Sequence, residues 1–287
     1  MPRILSTYVY VDQPLTHDIL AGISRAGIQG IEIFCSVRHF NYHEPRILRD
    51  MADWLADNRL QLHALHSPTE RDLSAGRRES GLPISICDPE RVRRLDAVDE
   101  VKRALEVAEH IPFHYLIQHL GHGRQSMDPR KFDAAFSSLE HLVVFAKQRG
   151  VVIALENTPG ELTSPSSLRQ FIHETRLQDL RLCFDTGHAH LEDGIEASFE
   201  MMRERAVSTH IHDNHGERDE HLLPYEGTIN WDVALEAIAG TAQPLPIVLE
   251  LKEQGPGAPA LDRIAEAFDK LEKGLAKRAP NRSIAND

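Results

Sequence analysis

Cysteine is scarce: Cys35, Cys87 and Cys183 are all that 287 residues contain. An odd, sparse set without metal-type spacing excludes a disulfide framework and points to a reducing, cytoplasmic compartment. The chain also lacks any apolar run of the roughly 18 to 20 residues that a membrane span takes. Its first apolar run, Ile4 to Val11, is too short for a signal-peptide core with its flanks. Positive charge is in deficit, with 32 Lys and Arg against 44 Asp and Glu. The resulting net charge of −12 argues against general attraction to nucleic acid or an anionic membrane. No Gly-rich phosphate loop with a following Lys is present, and no Gly/Pro/Ser-rich linker or low-complexity segment divides the chain.

What remains has globular proportions, 41% hydrophobic and 26% charged, so a long disordered chain is excluded. Histidine is the residue in excess. The 17 histidines are scattered from His17 to His221 with no run among them, which rules out a tag and makes their positions informative.

Short apolar runs alternate with stretches of helical period. Ile4 to Val11 precedes a helix over Leu15 to Ala26, Ile31 to Phe34 one over Glu44 to Asn58, and Leu60 to Leu65 a long connection and a helix over Pro89 to Glu109. Phe113 to Gln118 precedes a helix from Asp128-Pro129 to Gly150, and Val151 to Leu155 one capped by Ser164-Pro165. Leu180 to Phe184 leads to Glu192 to Glu204, Val207 to Ile211 to Asn230 to Ala239, and Ile247 to Leu251 to Ala260 to Lys273. In Phe132, Phe136, Leu139, Val143 and Ala146 the spacing of three or four sets one apolar stripe against a core. Asp128 and Ser164 can accept the free N–H groups of a first turn, and the prolines after them sit where a missing donor is harmless. The strands are nearly continuously apolar, as expected when both faces are covered. Eight such units predict a single (β/α)₈ TIM barrel over residues 1–279, with a loose polar tail at 280–287.

A TIM barrel presents its site at the C-terminal ends of its strands. There the sequence carries Glu32, His66, His119, Glu156-Asn157, Asp185-Thr-Gly-His188, His210-Ile-His212-Asp213-Asn214 and Glu250. Taken singly, a carboxylate or imidazole at a strand end is usually just solvated. Together on one rim such groups repel or are desolvated, and a shared divalent cation compensates them. His188 follows Asp185 by three residues across a Gly turn, so both side chains can reach one cavity. His210 and His212 alternate by two, and spacing does not choose between them. His63, Cys183, His190 and His215 are read as packing or surface residues.

The strings Ala-Leu-Glu156-Asn157, Phe-Asp185-Thr-Gly-His188, His210-Ile-His-Asp-Asn-His-Gly, Asp219-Glu-His221-Leu, Gly227-Thr-Ile-Asn-Trp231 and Val-Leu-Glu250 resemble the xylose isomerase-like sugar phosphate isomerase/epimerase family, in the superfamily of endonuclease IV. The resemblance runs over nearly the whole chain. It implies a TIM barrel that binds one divalent cation through Glu156, Asp185, His210 and Glu250, with His210 preferred because it opens the His-x-x-Asp-Asn pattern. That donor set suits Mn²⁺, and also Mg²⁺, Co²⁺ or Zn²⁺. It further implies that Glu156 and Glu250 move protons on opposite faces of a ketose through an enediolate, with His188, Glu32, His66 and His119 near the substrate.

The alternative implied by the same resemblance is the trinuclear zinc pattern of endonuclease IV on abasic DNA. It maps onto His66, His119 and Glu156; Glu156, Asp185, His210 and Glu250; and His188, Asp219 and His221. Leu223-Pro-Tyr-Glu-Gly227 departs from the family's Gly-x-Gly pattern. Basic density is greatest at Arg71, Arg77, Arg78, Arg91, Arg93 and Arg94, a segment suited to a phosphorylated sugar or a nucleic-acid backbone and more often a solvated face. A keto-sugar lyase or dehydratase shares the enediolate step. The expected partner is a small sugar or sugar phosphate rather than nucleic acid or a membrane, and homo-oligomerisation is left open.

Overall fold

The computed structural model describes residues 2–71, 82–121, 128–241, 243–252 and 260–278. Arg77, Arg78 and the tail at 280–287 lie outside them. Strands β1 (Arg3–Ser6), β2 (Gly30–Phe34), β3 (Gln61–His66), β6 (Tyr115–Gln118), β7 (Val152–Glu156), β8 (Arg181–Asp185), β9 (Ala206–His210) and β10 (Ile247–Leu249) form one parallel sheet in the order β10-β1-β2-β3-β6-β7-β8-β9. A two-residue hairpin, β4 (Glu70–Arg71) with β5 (Leu82–Pro83), stands outside it. Between the barrel strands run α1 (His17–Arg25), α2 (Pro45–Asn58), α3 (Arg91–Glu106), α4 (Pro129–Lys147), α5 (Pro165–Thr175), α6 (Thr186–Leu191), α7 (Ile195–Met202) and α8 (Trp231–Ala239), and α9 (Leu261–Ala276) follows the last strand. The eight parallel strands make the nearly closed (β/α)₈ TIM barrel that the alternation predicts. Among the described residues no helix is long and apolar enough to cross a membrane.

Closure is uneven around the ring. Where most neighbouring strands share three to five register pairs, β9 and β10 meet through a single bridge, Ile211 with Leu249. Two hydrogen bonds, Ile211 N–H to Val248 O at 2.8 Å and Glu250 N–H to Ile211 O at 3.3 Å, hold that seam.

The main core lies between the outer faces of the strands and the helices, where α9 alone buries Ile264, Phe268, Leu271 and Leu275. Each such side chain contributes about 1.5 to 3 kcal/mol. A second, smaller cluster of Ala64, Ile117, Ala154 and Cys183 fills the barrel interior beneath the rim. The expected caps are in place: Asp128 accepts from Arg130 N–H at 2.9 Å and Ser164 from Ser167 N–H at 3.3 Å, each followed by a proline.

Two boundaries differ from the sequence pattern. Ile4 to Val11 is not one strand: β1 stops at Ser6, and Thr7–Tyr10 turns as a 3₁₀-helix capped by the Ser6 hydroxyl. Chain after β8 coils at once into α6, because Asp185 itself caps that helix by accepting from His188 N–H at 2.7 Å.

Candidate functional site

Nine of the ten sequence-predicted site residues lie at the C-terminal end of the barrel, and the tenth, Glu32, sits in the middle of β2 below it. Glu156 and Asp185 are the last residues of β7 and β8, His66 and His210 the last of β3 and β9, and Glu250 follows β10 by one residue. His119 follows β6, and Asp219 and His221 come from the loop after β9. Their orientation follows from register: Asp185 pairs with His210, so both point into the barrel.

Three groups of donors converge. In the centre His210 Nδ1 lies 3.1 Å from Glu156 Oε2, 3.3 Å from Glu250 Oε2 and 3.9 Å from Asp185 Oδ2. Beside it, His66 Nε2 and His119 Nε2 lie 3.3 Å apart, and His119 Nε2 is 3.0 Å from Glu156 Oε2. Toward the mouth, Asp219 Oδ2 lies 3.0 Å from His221 Nε2 and 3.4 Å from His188 Nε2. His212 joins this outer group, with Nε2 at 3.0 Å from Asp185 Oδ2 and at 4.0 Å from Asp219 Oδ1. Within each of the three groups one donor atom per residue falls inside 4.8 Å of the others.

These residues fit a cation. His210 Nδ1 and Glu156 Oε1 are buried without a hydrogen-bond partner, and two imidazole nitrogens face a single carboxylate oxygen. Three carboxylates and one imidazole in the centre are the oxygen-rich mixed set that hard and borderline divalent ions take.

Charge is arranged asymmetrically. Burial works against ionisation of Glu156, yet His210, His119 and His188 around it hold its carboxyl well below the ordinary range. Burial pushes Glu250 up to about 7, with the Glu156 charge acting in the same direction. His188 is raised well above the ordinary imidazole value despite its burial, by Asp185, Asp219 and Glu156.

Local anchors hold the geometry. Asn157 accepts from Asp185 N–H at 2.8 Å and donates to Asp185 O at 3.0 Å. His188 Nδ1 faces Asn157 O at 2.9 Å, which leaves Nε2 toward Asp219. Asp213 takes four donors: Asn214 and Ile229 N–H on Oδ1, Tyr225 N–H and Trp231 Nε1–H on Oδ2. It thereby ties down the loop that carries Asp219 and His221. Gly227 is required there, since a Cβ would overlap Asp213 and the Asn214 carbonyl. This packing fills the segment that departs from Gly-x-Gly.

A cavity of about 400 Å³ opens over the donors, lined by His66, His119, Glu156, His188, Asp219, His221 and Glu250. Glu32 does not line it. That side chain is wholly buried beneath the rim, with Oε1 3.0 Å from His210 Nε2. The cavity also has an aromatic wall that the sequence pattern hid. Tyr8 packs on Phe34 at 4.9 Å and on His221 at 5.2 Å, and Phe34 stacks on His66 at 4.6 Å. The polar pair Ser6-Thr7 was the available signal that β1 ends early and hands Tyr8 to the rim. Among the described residues that line the cavity, Arg218 is the cation. Of the basic segment, Arg93 faces Glu90 and Arg94 binds the Asp88 carbonyl, and neither lines the cavity.

A family model described as xylose isomerase-like TIM barrel matches residues 20–274. The uncharacterised protein MJ1311 of Methanocaldococcus jannaschii is 28% identical over 244 residues, which cover 82% of this chain and 78% of that protein. The uncharacterised protein y4fM of Sinorhizobium fredii is 33% identical over 123 residues, so the match spans 42% of this chain and only 39% of that relative. Among solved structures, an L-ribulose 3-epimerase superposes with a TM-score of 0.79 at 16% identity, covering 97% of this chain and 96% of the other. A D-tagatose 3-epimerase-like protein gives 0.77 at 21% identity over 97% and 99%. The IolI protein with a bound zinc atom gives 0.74 at 16% identity over 97% and 99%. At these identities the structural likeness is one of fold.

Proposed function

The chain belongs to the xylose isomerase-like TIM barrel family, and from that footing we propose that it is a divalent-cation-dependent isomerase or epimerase of a ketose, keto-polyol or sugar phosphate. The observation that carries this reading is the pair Glu156 and Glu250. Both line the cavity and meet His210 Nδ1, at 3.1 and 3.3 Å, from β7 on one side and just after β10 on the other, and their surroundings act on them in opposite directions, histidines lowering Glu156 against its burial and burial raising Glu250. Two carboxyl groups of opposite readiness around a cation-binding centre suit removal of a proton beside a carbonyl and its return from the other face. The epimerase names of two structural neighbours support sugars as the substrate class.

Glu156, Asp185, His210 and Glu250 would hold the cation, Mn²⁺ first, with Mg²⁺, Co²⁺ and Zn²⁺ as alternatives. When bound, the cation supplies positive charge against the negative charge that develops on the carbonyl oxygen. The chain's own groups do the rest. Glu156 and Glu250 exchange protons with the substrate carbon. His188, fixed through Nδ1 by Asn157 O, has Nε2 at the cavity wall, where a substrate hydroxyl would take the place of the 3.4 Å contact with Asp219. Tyr8 and Phe34 form a dry wall against which a reactive enediolate is shielded from water.

The test is wash-in of deuterium from D₂O into D-tagatose or L-ribulose by the Mn²⁺-loaded chain. Exchange is expected in the wild type and absent from Glu250→Gln at unchanged circular dichroism. An unchanged rate in that variant removes Glu250 from the chemistry.

A second reading is favoured by the three complete donor groups, which match a trinuclear zinc phosphodiesterase acting on abasic DNA. Three zinc ions per chain together with nicking of abasic DNA would replace the isomerase reading. Release of a leaving group without epimer formation would instead mark a lyase or dehydratase.

A further inference from the structure

Glu32 is a buried carboxylate that the proposed chemistry does not use. It sits in the middle of β2, in register with Ser6 and Ala64, and its side chain is shielded from solvent. Both of its oxygens face one atom: His210 Nε2 lies 3.0 Å from Oε1 and 3.2 Å from Oε2. The imidazole ring therefore stands between two sets of carboxylates. Its Nε2 edge is spent on Glu32, and its Nδ1 edge faces Glu156, Glu250 and Asp185 with no hydrogen-bond partner.

The chemistry of the contact is decisive. Against a carboxylate Nε2 must carry a proton, so the neutral ring is left with its lone pair on Nδ1, facing the three other carboxylates. Burying an ionised carboxylate away from water is costly, and a glutamine would satisfy the same N–H. A charge kept here in place of an amide points to a role toward something cationic on the far side of the ring.

We propose that Glu32 is a positioning residue for the cation centre: it accepts the Nε2 proton of His210, locks the ring, and strengthens Nδ1 as a donor to a divalent cation. The inference rests on the reading of Glu156, Asp185, His210 and Glu250 as ligands. It replaces the expectation that Glu32 contacts substrate, because the His210 ring separates it from the other carboxylates and it does not line the cavity. A carboxylate behind a ligating histidine typically governs metal affinity by ten- to a hundredfold.

The experiment is titration of the metal-free full-length chain with Co²⁺, followed by calorimetry and visible absorption, for wild type, Glu32→Gln, His210→Gln and the double variant. Glu32→Gln is expected to weaken Co²⁺ binding about tenfold or more, with thermal stability of the metal-free chain unchanged or raised. In the His210→Gln background the same substitution is expected to change nothing further, because its effect passes through the ring. Binding by Glu32→Gln within about twofold of wild type overturns the proposal, as does an equal loss in both backgrounds. Wild-type affinity in His210→Gln overturns the ligand assignment itself, a separate failure. Nitrogen-15 correlation spectra of the Zn²⁺-loaded wild type need no variant: a proton on Nε2 of His210 is expected, and a proton on Nδ1 overturns the proposal.

Discussion

Asn157 grips Asp185 by both backbone groups, accepting its N–H at 2.8 Å and donating to its carbonyl at 3.0 Å. The residue after one candidate ligand thus fixes the backbone of the next, in the neighbouring strand. Asn157→Ala leaves a buried N–H and a buried C=O unpaired, each costing about 1 to 3 kcal/mol. Urea denaturation is expected to show a loss of about 2 to 4 kcal/mol, and Mn²⁺ titration a weaker centre. Stability within about 0.5 kcal/mol of wild type would show that Asn157 is not the brace.

Gly187 lies under the His212 ring so closely that any Cβ would overlap it. Gly187→Ala must push that ring off Asp185, whose Oδ2 it meets at 3.0 Å. Overpacking of this kind costs about 1 to 3 kcal/mol. The double variant with His212→Ala removes the clash, so thermal melts should show less than additive damage.

Asp213 is expected to be the point at which the mouth loop unravels. Replacing it by asparagine turns one of its two acceptor oxygens into an amide NH₂, a donor facing donors. Limited proteolysis should then cut between residues 214 and 230, where the wild type resists, while the barrel strands stay protected in hydrogen exchange.

Cation binding should weaken with acid. Burial pushes Glu250 up to about 7, and a proton there competes with a metal ion. Calorimetry across pH should give an affinity that falls with acid by up to tenfold per unit for each competing proton, the one on Glu250 entering below about pH 7 and the one on His210, held well above the ordinary imidazole value despite its burial by Cys183 and the carboxylates around it, entering earlier. For folding of the metal-free chain the sign is opposite. The fold favours the protonated carboxyl, so this group's contribution is present below the ordinary value of 4.5 and lost as pH rises to about 7. In Glu250→Gln both dependences should shrink.

The (β/α)₈ alternation was legible because each strand is an apolar run closed by a polar residue, and that same closing residue names the rim. What the pattern does not carry is depth and register. Glu32 and Glu156 look alike at strand ends, but only the pairing of Glu32 with Ala64 and Ser6, past an irregularity after Ile31, sets Glu32 under the rim rather than on it. Spacing does not decide between His212 and His210 because both point inward, and the partner of each comes from another strand. α6 escaped detection since Thr186-Gly-His-Ala-His is a poor helix former. Its start depends on the Asp185 cap and on Thr186 bonding to the carbonyls of His210 and His212.

The single-bridge seam between β9 and β10 has a mechanical meaning. His210 ends one of these strands and Glu250 follows the other, with Nδ1 and Oε2 only 3.3 Å apart. An ion gripped by both would act as a clasp where the backbone ladder is thinnest, fastening the last strand to the seventh. Loading the centre would then tighten the whole ring, and stripping it would loosen the barrel first along this one line.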